Sequence, residues 1–313
     1  MNPINPMKQM SYEGILPIRK PVGFTSHDVV AKSRGILKMK RIGHTGTLDP
    51  AVTGVLPLCL GRATRMVEYL QELPKEYEAT LILGISTDTE DMSGNVVEKV
   101  DHVSVTEAQV KEVLSRFTGT ISQIPPMYSA IKQNGKRLYE LAREGKTVER
   151  EPREVTIYEL DLISFQPEGP HPRISFRTLC SKGTYIRTLC VDIGRALGIP
   201  AAMEQLKRTM SAGISEEQCI TLEQLAEFVE SGALQAHLIP VDEAVHHLPA
   251  HTVQEEKVKA AIQGQRLSSS VVEPQVVKGS TIRLYGPNQQ FLGIFRVEES
   301  TGAVTPVKVF LPD

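Results

Sequence analysis

Apolar and polar positions along the chain sort into short strands alternating with amphipathic helices. The clearest strand runs from Tyr77 to Ile85, where Tyr77, Ala79, Leu81, Leu83 and Ile85 fall on one face of a period-two pattern. Further strands are predicted from Gly14 towards Pro21, and over Val55 to Leu60, Val155 to Phe165, Arg173 to Leu179 and Gln205 to Thr209. Between them the pattern predicts helices. One spans His27 to Leu37 behind a Thr25 or Ser26 cap, and others cover Ala63 to Gln71 and Leu222 to Ser231. Thr106 with Gln109 has capping-box form and opens a helix to about Phe117, closed by Gly119. Thr184 to Leu189 leads into a helix ended by Gly198 and Pro200. Beyond His251 come a helix at Gln254 to Gln263 and strands at Val271 to Val277, Thr281 to Tyr285, Gln290 to Val297 and Val304 to Phe310, with Gly286-Pro287-Asn288 as a hairpin turn. Small all-strand modules of this kind are barrels or sandwiches.

The 313 residues exceed a typical single domain. A flexible leader is expected over 1–13, a large domain over 14–239 and a smaller one over 240–313, with Pro240 and Pro249 framing a His-bearing linker. A net charge of -2 argues for nothing, but its distribution does. Seven Lys or Arg lie between Arg19 and Arg41 against one acid, Asp28. Segment 125–153 has seven basic residues against four acids, with Tyr128, Tyr139, an Asn134-Gly135 turn and a short helix from Leu138 to Glu144. A basic, aromatic-bearing excursion suits a polyanion such as a nucleic-acid loop. The four cysteines have no C-x-x-C spacing and read as reduced core thiols. With no signal peptide and no apolar run of membrane-spanning length, the expected compartment is the cytoplasm.

Ten residues, Arg41 to Pro50, look unlike packing material: two glycines, two threonines, a histidine and an aspartate against two aliphatic side chains. Gly43 and Gly46 permit close backbone approach to a ligand, and Pro50 biases Asp49 away from the helical region, so its carboxylate is presented from a turn. Ordinary turn chemistry alone also accounts for Asp49-Pro50. The longer string weighs against that. Gly43-His44-Thr45-Gly46-Thr47-Leu48-Asp49-Pro50, followed by Thr53-Gly54-Val55-Leu56-Pro57 and Gly61-Arg62-Ala63-Thr64, resembles the catalytic signature of the TruB-type pseudouridine synthases. Lys20-Pro21-x-Gly23, Lys75-Glu76-Tyr77, Gly183-Thr184-Tyr185-Ile186-Arg187 and Leu206-Lys207-Arg208-Thr209 stand in that family's order.

The resemblance implies an α+β catalytic domain, its central mixed and largely antiparallel sheet flanked by helices, and a C-terminal PUA-like barrel suggested by Ile262-Gln263-Gly264-Gln265 and Gly293. It implies isomerisation of uridine 55 in the tRNA T loop, with no cofactor, no obligate protein partner and a monomeric enzyme. Asp49 would be the nucleophile, Arg187 its partner, Tyr77 a stacking platform and His44 a neighbour of the displaced nucleotide; Tyr185, Lys20 and Leu206 would complete the pocket. Asp91 is a candidate substrate contact, although acids in a loop like Ser86 to Asn95 more often serve to solvate it. Tyr77 is by its pattern either core or platform. Two rivals share these features: a non-catalytic RNA-binding protein and a guide-RNA-dependent pseudouridine synthase.

Overall fold

The computed structural model describes residues 11–310 except Asn134, so the Asn134-Gly135 turn and most of the leader lie outside the described residues. The chain runs β1 (Gly14–Lys20), α1 (Ser26–Leu37), β2 (Ile42–His44), β3 (Thr53–Leu60), α2 (Val67–Glu72), β4 (Lys75–Leu83), β5 (Ile85–Thr87) and β6 (Val96–Lys99). It continues α3 (Glu107–Ser115), β7 (Gly119–Gln123), β8 (Lys132–Gln133), β9 (Lys136–Arg137), α4 (Leu138–Arg143), β10 (Arg153–Gln166), β11 (Arg173–Cys180), α5 (Ile186–Leu197), β12 (Ala201–Ser211), β13 (Ile214–Ser215) and α6 (Leu222–Glu230). The last part holds β14 (Ala250–Val253), α7 (Glu255–Ile262), β15 (Val272–Glu273), β16 (Thr281–Tyr285), β17 (Phe291–Val297) and β18 (Val304–Val309).

The main sheet has the order β1-β3-β12-β4-β11-β10-β7, with β2 added to β3 and β13 to β12. It is mixed and largely antiparallel: β3 and β12 pair in parallel, Lys207 opposite Thr53 and Arg208 opposite Gly54. The period-two pattern of β4 puts Tyr77, Ala79, Leu81 and Leu83 into a core with Val110 and Leu114 of α3 and Leu189 and Ile193 of α5. The strand expected to reach Ile85 ends at Leu83, because Gly84 turns the chain at a φ of +86° and Ile85 opens β5. At the β1 end, Leu16, Ile18, Leu56 and Leu58 are covered by Val29 and Val30 of α1 and Leu222 and Leu225 of α6. Helix starts follow local chemistry, since Thr25 with Asp28, Thr106 with Gln109 and Thr221 with Gln224 all form capping boxes.

The C-terminal sheet runs β15-β14-β16-β17-β18. Leu267, just before β15, exchanges backbone hydrogen bonds with Val304 of β18. One stretch thus touches both edges of the sheet and closes it as a barrel does. The strand expected over Val271 to Val277 shrinks to β15, because Pro274 has no amide to donate to a ladder.

The segment framed by Pro240 and Pro249 is packed, not a free tether. Ile239 and Ile15 exchange backbone hydrogen bonds at 2.8 and 2.9 Å. Val241, Ala244, Val245, Ile294 and Phe310 share one core with Ile15, Val55, Cys59, Met66 and Leu70. The Arg283 guanidinium donates to the carbonyls of Leu248, Asp242 and His246. A chain cut after Ile239 therefore uncovers large apolar side chains at about 1.5–3 kcal/mol each. Such a truncation is expected to melt far below the full chain or to aggregate; a cooperative melt at the full-length temperature, followed by circular dichroism, would show that the shared core contributes little.

Candidate active site

The turn at Asp49 is held from three sides. The Leu48 amide donates to Ser26 Oγ at 2.9 Å, the Val52 amide to the Asp49 carbonyl at 3.0 Å, and the Gly23 amide to the Pro50 carbonyl at 2.8 Å. Leu48 and Val52 bury their side chains in the core that also holds Tyr77. Lys20, fully buried, donates from Nζ to the carbonyls of Pro21, Phe24 and Pro50. Burial pulls its pKa down to about 8, with the Asp49 carboxylate pushing the other way. Lys20 thus braces the turn from beneath.

Arg187, in the first turn of α5, faces this turn. Its Nη2 lies 3.1 Å from Asp49 Oδ2 and donates to the Tyr128 carbonyl at 2.8 Å; its Nη1 donates to the Thr89 carbonyl at 3.1 Å and lies 3.8 Å from Asp91 Oδ2. The Arg187 side chain is 9% exposed and that of Asp49 44%. A buried guanidinium aimed by main-chain carbonyls therefore orients a carboxylate that solvent or a ligand can reach. Asp91 is fixed in turn by Thr89 Oγ1 at 2.8 Å and the Ser93 amide at 2.9 Å.

Tyr185 caps α5, and its backbone is gripped by the buried Gln123 side chain, which accepts from the Tyr185 amide at 3.0 Å and donates to its carbonyl at 3.2 Å. Burial pushes the Tyr185 and Tyr77 hydroxyls above their ordinary pKa. Tyr77 is 8% exposed, and Leu206 packs at the edge of the same core. His44 Nδ1 accepts from the Gly46 amide at 3.3 Å, and its ring centroid lies 6.0 Å from that of His27. Burial, then the His27 charge, lowers the His44 pKa, so the ring is neutral at physiological pH.

Sequence reasoning gave no role to Arg208. It is fully buried, opposite Tyr77 in the sheet, and donates from Nε to the Val55 carbonyl at 2.8 Å and from Nη2 to the Gly46 carbonyl at 3.3 Å. A β-carbon on Gly54 would sit 2.1 Å from the Arg208 carbonyl oxygen, so position 54 admits no side chain. The string Leu206 to Thr209 was the available signal for Arg208; the carbonyls of Thr89 and Tyr128 had none, since every residue carries one. All four cysteines are free and buried. Among the described residues no helix is long and apolar enough to cross a membrane.

The family model for the TruB family pseudouridylate synthase N-terminal domain matches residues 34–186; those for the tRNA pseudouridylate synthase B C-terminal domain and for the pseudouridine synthase II TruB C-terminal region match 187–246 and 249–310. A curated tRNA pseudouridine synthase B from Halalkalibacterium halodurans is 46% identical over 308 residues, 97% of this chain and 99% of its own. The chain belongs to the TruB family of pseudouridylate synthases. The Bacillus subtilis relative, also called tRNA pseudouridine synthase B, is 43% identical and covers 95% of this chain and 97% of its own. Among solved structures, a chain in a Cbf5-Nop10-Gar1 complex aligns with a TM-score of 0.75 at 30% identity, over 96% of this chain and 85% of that one. The TruB-family chain is thus a pseudouridine-forming enzyme built on a mixed sheet with a C-terminal sheet domain.

Proposed function

We propose that this enzyme converts uridine to pseudouridine in the T loop of tRNA, with Asp49 as the nucleophile. The observation that carries this is the single half-exposed carboxylate of Asp49 held 3.1 Å from the otherwise buried Arg187. Rearrangement breaks the N1–C1′ bond, turns the uracil and joins C5 to C1′; C5 gives up its proton to solvent and N1 takes one up, so nothing is oxidised and one carboxylate suffices. Addition to the sugar, addition to the base, or removal of a sugar proton are all open to it. Arg187 orients the carboxylate through the ion pair between its Nη2 and Asp49 Oδ2. Asp91 shares the guanidinium and restrains its far edge.

The target base must leave its stack to reach Asp49. Flipping costs a few kcal/mol, and stacking on an aromatic returns ~1–3 kcal/mol. Tyr77 supplies that platform, neutral His44 fills space beside the displaced nucleotide, and Tyr185 and Leu206 wall the pocket. Residues 14–239 form the catalytic part, 240–313 a PUA-like RNA-binding part, and 125–153 grip the RNA. In that excursion Arg137 and Arg143 lie over the Tyr139 ring at 5.8 and 5.4 Å, a surface suited to phosphates and bases. The enzyme acts as a cytoplasmic monomer in this reading.

A guide-free enzyme is favoured over a guide-directed one, because relatives named tRNA pseudouridine synthase B match nearly end to end. A mere RNA-binding protein gives no reason to set a carboxylate against a polyanion. The test is tritium release from a T-arm stem-loop carrying 5-tritiated uridine, without any guide RNA. Release is expected; none from a folded, RNA-bound protein would overturn the reading.

Tyr77 gives a separate prediction. Tyr77→Phe is expected to keep most RNA affinity, since the ring remains, whereas Tyr77→Ala is expected to lose affinity and rate and to lose about 3–5 kcal/mol of folding stability through the cavity left in the core. Single-turnover rate, affinity and melting together separate the roles. An Ala variant that loses stability alone would make Tyr77 a packing residue.

A further inference from the structure

The loop from Thr87 to Asn95 is tied down by a residue with no role in the reading above, Glu90. Its φ is +65°, a left-handed conformation that a residue with a β-carbon adopts only at a cost. Three bonds keep it there. Its amide donates to the Thr87 carbonyl at 3.3 Å, its carbonyl accepts from the Met203 amide at 2.9 Å, and its Oε2 accepts from the Thr188 hydroxyl at 2.7 Å. Thr188 directly follows Arg187 in α5. On the other side, the residues flanking Glu90 face the guanidinium: the Thr89 carbonyl accepts from Arg187 Nη1, and Asp91 Oδ2 lies 3.8 Å from the same nitrogen. Burial pushes the Glu90 carboxyl above its ordinary range, against the Thr188 hydrogen bond and the charges of Arg187 and Arg150.

We propose that Glu90 is a positioning residue, whose bond to Thr188 locks the 87–95 loop onto the first turn of α5 and so fixes the Arg187 guanidinium against Asp49. The inference rests on the roles given above to Arg187 and Asp49. Glu90 takes no part in the chemistry. Without the Thr188 bond, the strained backbone at residue 90 relaxes and carries the Thr89 carbonyl and Asp91 away from Arg187.

Three variants of the full chain test this: Glu90→Ala and Thr188→Val each break the bond, and Glu90→Gln keeps an acceptor for the hydroxyl. Single-turnover tritium release at saturating stem-loop RNA should slow by about tenfold to a hundredfold in the first two, as for a slightly misplaced catalytic group. Affinity for the RNA should be little changed, and Glu90→Gln should restore most of the rate. The double variant should be no slower than the slower single one, because both remove one interaction. A wild-type rate in Glu90→Ala, a Gln variant as slow as Ala, or multiplying defects would overturn the proposal. Hydrogen exchange at the Met203 amide, which donates to the Glu90 carbonyl, reads the lock without any turnover. Exchange should quicken in Glu90→Ala and not in Glu90→Gln; no change in either overturns the lock. Silence of the wild-type enzyme on the stem-loop would instead overturn the T-loop reading, leaving the exchange result to decide on Glu90.

Discussion

Asp49→Asn is expected to lower single-turnover tritium release by about 10⁴-fold or more, the scale on which removal of a covalent nucleophile acts. RNA affinity should change little. The substitution keeps shape and removes only charge and nucleophilicity, and the bonds that hold the turn come from backbone atoms and from Lys20 and Ser26, not from the carboxylate. Arg187 keeps the Thr89 and Tyr128 carbonyls and Asp91 as partners, so the site does not collapse. Thermal melting near the wild-type temperature would confirm that the loss is chemical. Release equal to that of the wild type would remove Asp49 from the mechanism.

The second large effect is expected at Arg187. In Arg187→Lys a compact ammonium replaces a planar fork whose two ends serve two carbonyls and two carboxylates at once, and no single position of Nζ reaches all of them. The rate should fall by about 10²–10³-fold, comparable to losing one preorganised donor at a charged centre. Arg187→Met should be as slow and also less stable. It leaves two inward-facing carbonyls unpaired, at about 1–3 kcal/mol each, while the half-exposed Asp49 adds less because water reaches it. Chemical denaturation beside single-turnover kinetics separates the two losses. A lysine variant at the wild-type rate would show that charge alone is needed.

Short-range chemistry made much of this protein legible in its sequence. A capping box joins residues three apart, a period-two face is complete within nine residues, and the Asp49-Pro50 turn is set by its own φ and ψ preferences, so α1, α3, α6, β4 and the turn can be read from neighbours along the chain. Asp49 was visible as a side chain out of keeping with packing, whereas Arg187, Tyr77 and Tyr185 stood out only through the resemblance to the family. What holds them was not visible. Arg187 is gripped by carbonyls 98 and 59 positions away, Arg208 spans 153 residues to the Val55 carbonyl, and Ile239 pairs with Ile15 across the supposed linker. A carbonyl belongs to every residue and carries no residue-type signal, and the parallel meeting of β3 with β12 depends on strand order, which local pattern does not specify. Sequence alone therefore determined which side chains this enzyme has to work with, and only the tertiary structure decided which backbone atoms aim them, because distant segments acquire an orientation only once a sheet has brought them together.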